Sequence, residues 1–400
     1  MTITIPNDIR EKLLKMHYGI SGHSAIEICT WTKKHMRNEG ACYKRKFYGV
    51  DTNRCAEIAP TPIWCEHNCI YCWRPMEFMS FHLNGDVMPP KEIIDGLVSE
   101  RKRLISGFRG FDGIDREKFE DSYNLFPSHW AISLAGEPTM YPKLGELIRL
   151  LKSNKEVKSI FVVTNGEEPK VLKKLNDDDN LPVQLYVSVN APNESLYKKI
   201  AHPVYPDGWN RLNETLSMLK ELKTRTVIRL TMIKGMNDSD YLVKQYAELF
   251  ERTQSDFIEV KAYMFVGYSR ERLKIENMPM HSEVVEFARK LESEMPDYEI
   301  ISEHKPSRIV LLKNKNSKVN NIIIFNDDEK YDRVDEIDGG WRIYTLLKKY
   351  RKARFVLDKY GFDSWGKDYM TIGEQAKELG LDAQKVVREL NDFIREEYLK

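Results

Sequence analysis

Cysteine is missing from residues 73–400: all six (Cys29, Cys42, Cys55, Cys65, Cys69, Cys72) stand in the first 72 positions. Long apolar runs are missing too, none approaching the roughly 18 residues that cross a bilayer. The opening MTITIPNDIREKLL lacks the basic-then-apolar layout of a secretory signal. The expectation is a cytoplasmic protein without membrane association, whose thiols stay reduced. An even cysteine count would suit disulfides, but compartment and chain size argue against them. Random placement would scatter six cysteines, so a metal-binding head is the better reading. An excess of one charge sign is also absent, since the net charge is +1, and nothing in that total attracts nucleic acid. There is no internal repeat and no low-complexity tract. With 42% apolar and 31% charged residues, the 400-residue chain can bury a substantial core, in one large α/β domain with appendages or in two or three domains.

Locally the charge is uneven. Residues 32–54 hold Lys33, Lys34, Arg37, Lys44, Arg45, Lys46 and Arg54 against Glu39 and Asp51, and a second basic run, KKYRKAR, fills 348–354. Such runs are ordinarily solvated faces. On a neutral protein they are also the footprint a phosphate backbone requires.

From about residue 54 a βα alternation sets in. Runs rich in β-branched and aromatic residues occupy 54–61, 129–136, 159–166, 183–190, 226–233 and 257–264. Helix-compatible stretches lie between and after them, at 91–105, 142–153, 209–222, 239–252 and 281–294. Strands apolar on both faces, alternating with helices, predict a parallel sheet covered by helices. Six units fit a partial (β/α)6 barrel, and an open doubly wound sheet satisfies the same pattern. Either fold binds ligands at the C-terminal ends of its strands. At those ends stand CEHNCIYCW (65–73), AGEP (135–138), TNGEEP (164–169) and SVNAP (188–192). The expected layout is an N-terminal segment 1–53, a barrel 54–311, a linker or hairpin 312–340 containing NIIIF (321–325), and a helical extension 341–400. In that extension TIGEQAKELGLDAQKVVREL (371–390) carries a capping box at Thr371/Glu374 and a second cap at Asp382. It reads as a helix-turn-helix or as a plain two-helix hairpin.

Cys65, Cys69 and Cys72 follow C-x3-C-x2-C. Structural zinc takes four ligands, and His67, between two ligands four apart, completes a tetrahedron awkwardly. A [4Fe–4S] cube held by three thiolates leaves one iron open to a small molecule. With aromatic Tyr71 before its last cysteine, the motif resembles the signature of radical S-adenosylmethionine enzymes. That resemblance implies that the open iron binds S-adenosylmethionine, whose one-electron cleavage yields a 5′-deoxyadenosyl radical. It also implies cofactor contacts at Gly136, Glu137, Ser188 and Asn190, with Asn165 and Arg229 as weaker matches.

Cys29, Cys42 and Cys55, thirteen and thirteen apart, form a second incomplete set. The block ACYKRKFYGVDTNRCAEIAPTPIWCEHNCIYCWRP (41–75) is similar to the tRNA 4-demethylwyosine synthase family, over roughly residues 10–310. The implied fold is a radical S-adenosylmethionine barrel with a cysteine-rich N-terminal segment and a mainly helical C-terminal extension. The implied cofactors are two [4Fe–4S] clusters and S-adenosyl-L-methionine, and the implied activity is that of a carbon–carbon lyase or synthase. It would condense N1-methylguanosine of tRNA(Phe) with pyruvate, two of whose carbons close the third ring while the carboxyl carbon leaves. Pyruvate would be held by the second cluster or as a Schiff base on a lysine, for which Lys44 is the candidate. Burial and the cationic neighbours Arg45 and Lys46 would lower its pKa. Arg45, Arg54 and 101–109 would meet phosphates, and Trp73, Phe47 or Tyr48 would stack on the guanine. The extension is longer than expected of archaeal members, and no flavodoxin-like domain is present. An outside electron donor of flavodoxin or ferredoxin type, and a monomeric enzyme, are expected. The competing readings are another radical enzyme, such as an activase or maturase, and a non-catalytic zinc-stabilised RNA-binding protein.

Overall fold

The computed structural model describes residues 3–323 and 330–400. Part of the 321–325 expectation therefore falls on 324–329, outside the described residues. The chain divides into two compact units. The first comprises Met1–Cys29, Arg54–Gly110 and Glu120–Asn321, and the second Thr30–Asn53, Phe111–Phe119 and Ile322–Lys400.

A ten-stranded sheet organises the first unit. Its strands are β1 (Gly19–Ser21), β2 (Ser24–Glu27), β3 (Cys55–Ala59), β4 (His129–Ile132), β5 (Ser159–Thr164), β6 (Gln184–Ser188), β7 (Arg225–Met232), β8 (Phe257–Ala262), β9 (Tyr298–His304) and β10 (Ile309–Asn314). The spatial order is β1-β2-β3-β4-β5-β6-β7-β8-β10-β9, and β3 to β8 pair in parallel, each with the next. A doubly wound sheet reverses its order at a switch point. Unbroken sequential order is the winding of a (β/α)6 barrel. The six strands expected from the sequence are these six.

The flanking hairpins, β1/β2 and β9/β10, are antiparallel and were not expected. Three- and four-residue strands are too short to show a period. β10 also runs through the boundary expected at 311/312.

Ile58, Ile132, Ile160, Val162, Leu185, Val187, Ile228, Leu230, Ile258 and Val260 face one way and pack with Leu147, Ile148, Leu172, Leu212 and Val284 from the covering helices. By the two-residue period of a strand, Cys55, Glu57, Tyr186, Ser188, Arg229, Glu259 and Lys261 take the opposite face. The runs are thus not apolar on both sides, because one side lines the barrel interior.

The second unit has its own core, with Ile343, Leu346, Tyr350, Leu357, Ile372, Ala376, Val386, Leu390, Ile394 and Tyr398 buried together. The expected capping box is present: the Glu374 N–H donates to Thr371 Oγ1 at 3.1 Å and the Thr371 N–H to Glu374 Oε2 at 2.8 Å. Asp382 caps the helix Ala383–Tyr398 through the N–H of Gln384 at 2.9 Å. Residues 30–53, expected as part of a separate N-terminal segment, belong to this unit. No described helix is long and apolar enough to cross a membrane.

Candidate active site

β3 ends at Ala59, and the cysteine loop follows directly. The Cys65 N–H donates to Ser80 O at 3.1 Å, that of Asn68 to Ala201 O at 3.0 Å and that of Ile70 to Ile200 O at 3.0 Å. From the far side of the barrel Arg272 donates to Ile70 O at 3.2 Å, to Cys72 O, and to Glu77 Oε1 at 2.7 Å. The loop is held by backbone bonds on both flanks, as a loop with few apolar side chains of its own requires.

Gly136 explains the placement of the loop. Its φ is +66°, and a Cβ there would lie 1.8 Å from Thr61 O and 2.7 Å from Trp64 O. Only glycine lets the cysteine loop lie on the end of β4. The Glu137 N–H reaches Trp64 O at 2.8 Å, and Thr61 Oγ1 donates to Glu137 O at 2.9 Å. The Glu137 carboxylate accepts from Thr139 N (3.1 Å), Thr139 Oγ1 (2.7 Å), Thr164 Oγ1 (2.6 Å) and Asn165 N (2.8 Å). Glu137 thereby ties the ends of β4 and β5 together.

None of the six cysteines forms a disulfide among the described residues. Burial, and then the neighbouring Glu66, Glu137 and Cys69, push the Cys65 thiol up; burial and Cys69 do the same for Cys72. Burial also raises the Tyr71 hydroxyl, followed by Cys69, Cys72 and Cys65. Thiols so placed give up their protons to a bound cation rather than to water.

Two carboxylates near this loop were not singled out in the sequence. Glu66, pushed up to about 8 by burial and by Glu137, accepts from Asn165 Nδ2 at 3.3 Å, and its Oε1 is buried without a partner. Glu167 is fully buried; it accepts from the Tyr197 hydroxyl and lies 3.0 Å from His67 Nε2. Opposite, His67 Nδ1 is 3.7 Å from Cys69 Sγ. Burial alone would lower the His67 pKa, but Cys69 and Glu167 outweigh it and raise it to about 10. His67 is therefore a buried bridge from a cysteine to a carboxylate. Glu167 lay in plain view in TNGEEP, but nothing local marks which of its two glutamates turns inward.

Ser188 and Asn190, at the end of β6, border a pocket of about 250 Å³ with His67, Tyr71, Ala191 and Tyr197. Asn190 donates to the Tyr71 hydroxyl at 2.6 Å and accepts from Thr231 N at 2.7 Å. Arg229 lies deeper, bonded to Glu259 at 2.9 and 3.0 Å with its guanidinium over the Tyr186 ring.

Of the upstream cysteines, Cys29 and Cys55 belong to the first unit and Cys42, with Lys44, to the second. β2 and β3 pair antiparallel as Ala25↔Ala59, Ile26↔Ile58 and Glu27↔Glu57. Cys55 opens β3, and Cys29 lies two residues past the end of β2. Arg101 donates to Cys55 O at 3.1 Å and to Ser122 O at 2.6 Å. It is 2% exposed, so it is not the phosphate contact expected of it. Arg45, at 4%, is likewise buried, and Phe47 and Tyr48 are core residues rather than stacking platforms. Lys44 is half-buried on the helix Tyr43–Tyr48.

Two family models match the chain: the radical SAM superfamily over residues 60–243 and wyosine base formation over 252–314. The S-adenosyl-L-methionine-dependent tRNA 4-demethylwyosine synthase of Pyrococcus horikoshii is 43% identical over 310 residues, 77% of this chain and 89% of that one. Its namesake in Methanocaldococcus jannaschii is 39% identical and is used to 99% of its length against 79% of this chain. A mouse relative, 37% identical, covers 94% of this chain with 49% of its own length, so its match reaches into the C-terminal extension. A solved structure of TYW1 with a lysine–pyruvate adduct bound is 38% identical, with a TM-score of 0.71 over 80% of this chain and 100% of that one. With the cysteine loop seated at the rim of a sequentially wound barrel, the chain belongs to the radical SAM family of tRNA 4-demethylwyosine synthases.

Proposed function

We propose that the chain builds 4-demethylwyosine on tRNA by joining N1-methylguanosine beside the anticodon of tRNA(Phe) to pyruvate. The observation that carries this reading is the C-x3-C-x2-C loop docked on Gly136 at the barrel rim, in a chain 43% identical to a relative that bears the name of this activity. Cys65, Cys69 and Cys72 would hold a [4Fe–4S] cube, and three cysteines outside any disulfide on one loop suit it. Gly136, Glu137, Asn165, Ser188, Asn190 and Arg229 are the candidates to surround S-adenosylmethionine. The unpartnered Glu66 Oε1 adds an acceptor suited to an ammonium group. The cube and S-adenosylmethionine together supply a carbon radical that takes a hydrogen atom from a methyl group.

Two finer assignments go with this reading. Cys29, Cys42 and Cys55 would hold a second cube; their even spacing, thirteen and thirteen, supports it. Lys44 would add its amine to the keto carbon of pyruvate. Water leaves, and the protonated imine that results is a better electrophile than the ketone. A lysine–pyruvate adduct in a structure 38% identical to this chain supports a lysine in that role. The electron would come from a flavodoxin or ferredoxin-type donor, and the enzyme would act as a monomer in the cytoplasm.

The test is incubation with reductant, S-adenosylmethionine, pyruvate and N1-methylguanosine-bearing tRNA, followed by mass analysis of the nucleosides. A pyruvate-dependent tricyclic nucleoside is expected. If 5′-deoxyadenosine accumulates over unaltered tRNA, the chain acts on another substrate. After anaerobic reconstitution about eight irons per chain are expected, and about four would remove the second cube.

A further inference from the structure

Lys44 sits on a six-residue helix, Tyr43–Tyr48, too short to be stable by itself. What holds it comes from the far end of the chain. Arg45, the next residue, is turned inward: its guanidinium donates to Asp368 Oδ2 at 2.8 Å and to Asp51 Oδ1 at 3.2 Å. Asp368 Oδ2 also meets His35 Nε2 at 2.9 Å, and Asp368 Oδ1 accepts from Lys118 Nζ at 2.6 Å. Arg45, Asp368, His35 and Lys118 are each no more than 4% exposed. One buried carboxylate thus gathers three segments of the second unit. At the other end of the helix Arg354 donates to Arg45 O at 2.9 Å, which the Gly49 N–H also reaches at 3.0 Å, and to Lys46 O at 3.0 Å. The Ile323 N–H meets Tyr48 O at 3.0 Å, and Lys46 lies over the Trp365 ring.

Successive residues on a helix are about 100° apart. Fixing Arg45 against Asp368 therefore fixes the direction in which Lys44 leaves the helix, and Arg354 fixes the height of the helix along its axis. We propose that Asp368 and Arg354, from the C-terminal extension, are positioning residues for the Lys44 amine. This rests on the reading of Lys44 as the pyruvate lysine.

The experiment is borohydride trapping of pyruvate on the full-length protein. Adduct formation is followed by mass against pyruvate concentration, with hydrogen exchange over 30–53 as the check on folding. Lys44→Ala comes first: an adduct that persists overturns the lysine assignment and with it the basis of this proposal. If Lys44→Ala abolishes the adduct, Arg354→Met and Asp368→Asn are compared with the native protein. A maximal trapping rate lower by roughly ten- to a hundredfold, with half-saturating pyruvate and exchange protection little changed, is the expected result. A purely structural role would lower protection and rate together. Asp368→Asn strands buried cations, so Arg354→Met decides if protection is lost in Asp368→Asn. Native-like trapping in a folded variant overturns the proposal.

Discussion

A methyl group at position 136 would strike the carbonyls of Thr61 and Trp64, which are backbone and have no rotamer to escape into. The left-handed conformation adds about 1–2 kcal/mol for any residue with a Cβ. Gly136→Ala is therefore expected to displace the cysteine loop and to lose the iron of one cube, about four atoms per chain after reconstitution. Iron analysis of the purified variant checks this, and unchanged iron would mean that the loop tolerates a shift. His35 offers a second test. Burial and Lys118 lower its pKa to about 4, and its Nδ1 is buried without a partner, so the ring folds neutral. The unfolded chain then takes up this proton first as pH falls. Stability from this source is full above pH 6.5 and is lost towards pH 4, by on the order of 3 kcal/mol. Arg45, His35 and Lys118 hold the Asp368 carboxyl far below the usual range despite its burial. Its contribution persists through that window and is lost only in stronger acid. Protection factors in the helix Tyr43–Tyr48 should fall between pH 6.5 and 4, and His35→Gln should flatten the decline. At this scale the cysteines were legible because spacing along one loop encodes their use. Glu66, Glu167 and Asp368 were not, since burial is decided by distant parts of the chain.

The six parallel strands could be read in advance because each is a largely buried run and most are closed by Gly, Asn or Pro. The hairpins β1/β2 and β9/β10 gave too little pattern, and YEIISEH alternates weakly, with only Tyr298 and His304 of its seven residues fully buried. Caps were legible residue by residue. Thr371 accepts from Glu374 N and returns its own N–H to that side chain. Thr371→Ala should cost about 1 kcal/mol, or somewhat less at an exposed site. Thermal unfolding of the second unit would show it, and an unchanged midpoint would make the box incidental. Arg45 shows where local reading stops. A basic triplet, Lys44–Arg45–Lys46, looks like one surface, yet the middle member is turned inward and paired with Asp51 and Asp368.

The extension was read in the sequence as a helical appendage carrying a helix-turn-helix or a plain two-helix hairpin. In the structure it shares a unit with 30–53, 111–119 and the stretch that precedes it from Ile322. Deleting 341–400 would remove Asp368 and Arg354 and leave Arg45 and Lys118 buried without their carboxylate, a loss of about 3–5 kcal/mol for a broken buried pair. The truncated chain is expected to lose the pyruvate adduct and to keep reductive cleavage of S-adenosylmethionine, because the cysteine loop and Gly136 lie in the other unit. Adduct formation at the native rate after truncation would show the extension to be dispensable.

The pairing of His35 and Arg45 with Asp368 spans 333 and 323 positions of sequence. On a ribosome adding about 5–20 residues per second, the early partners wait roughly 20–70 s for the late one. Through that interval the nascent helix bearing Lys44 lacks Asp368 and Arg354 and relies on the nearby Asp51 and the Gly49 N–H. The segment around Lys44 gains these partners only near the end of translation, so until then it depends on protection from solvent and proteases.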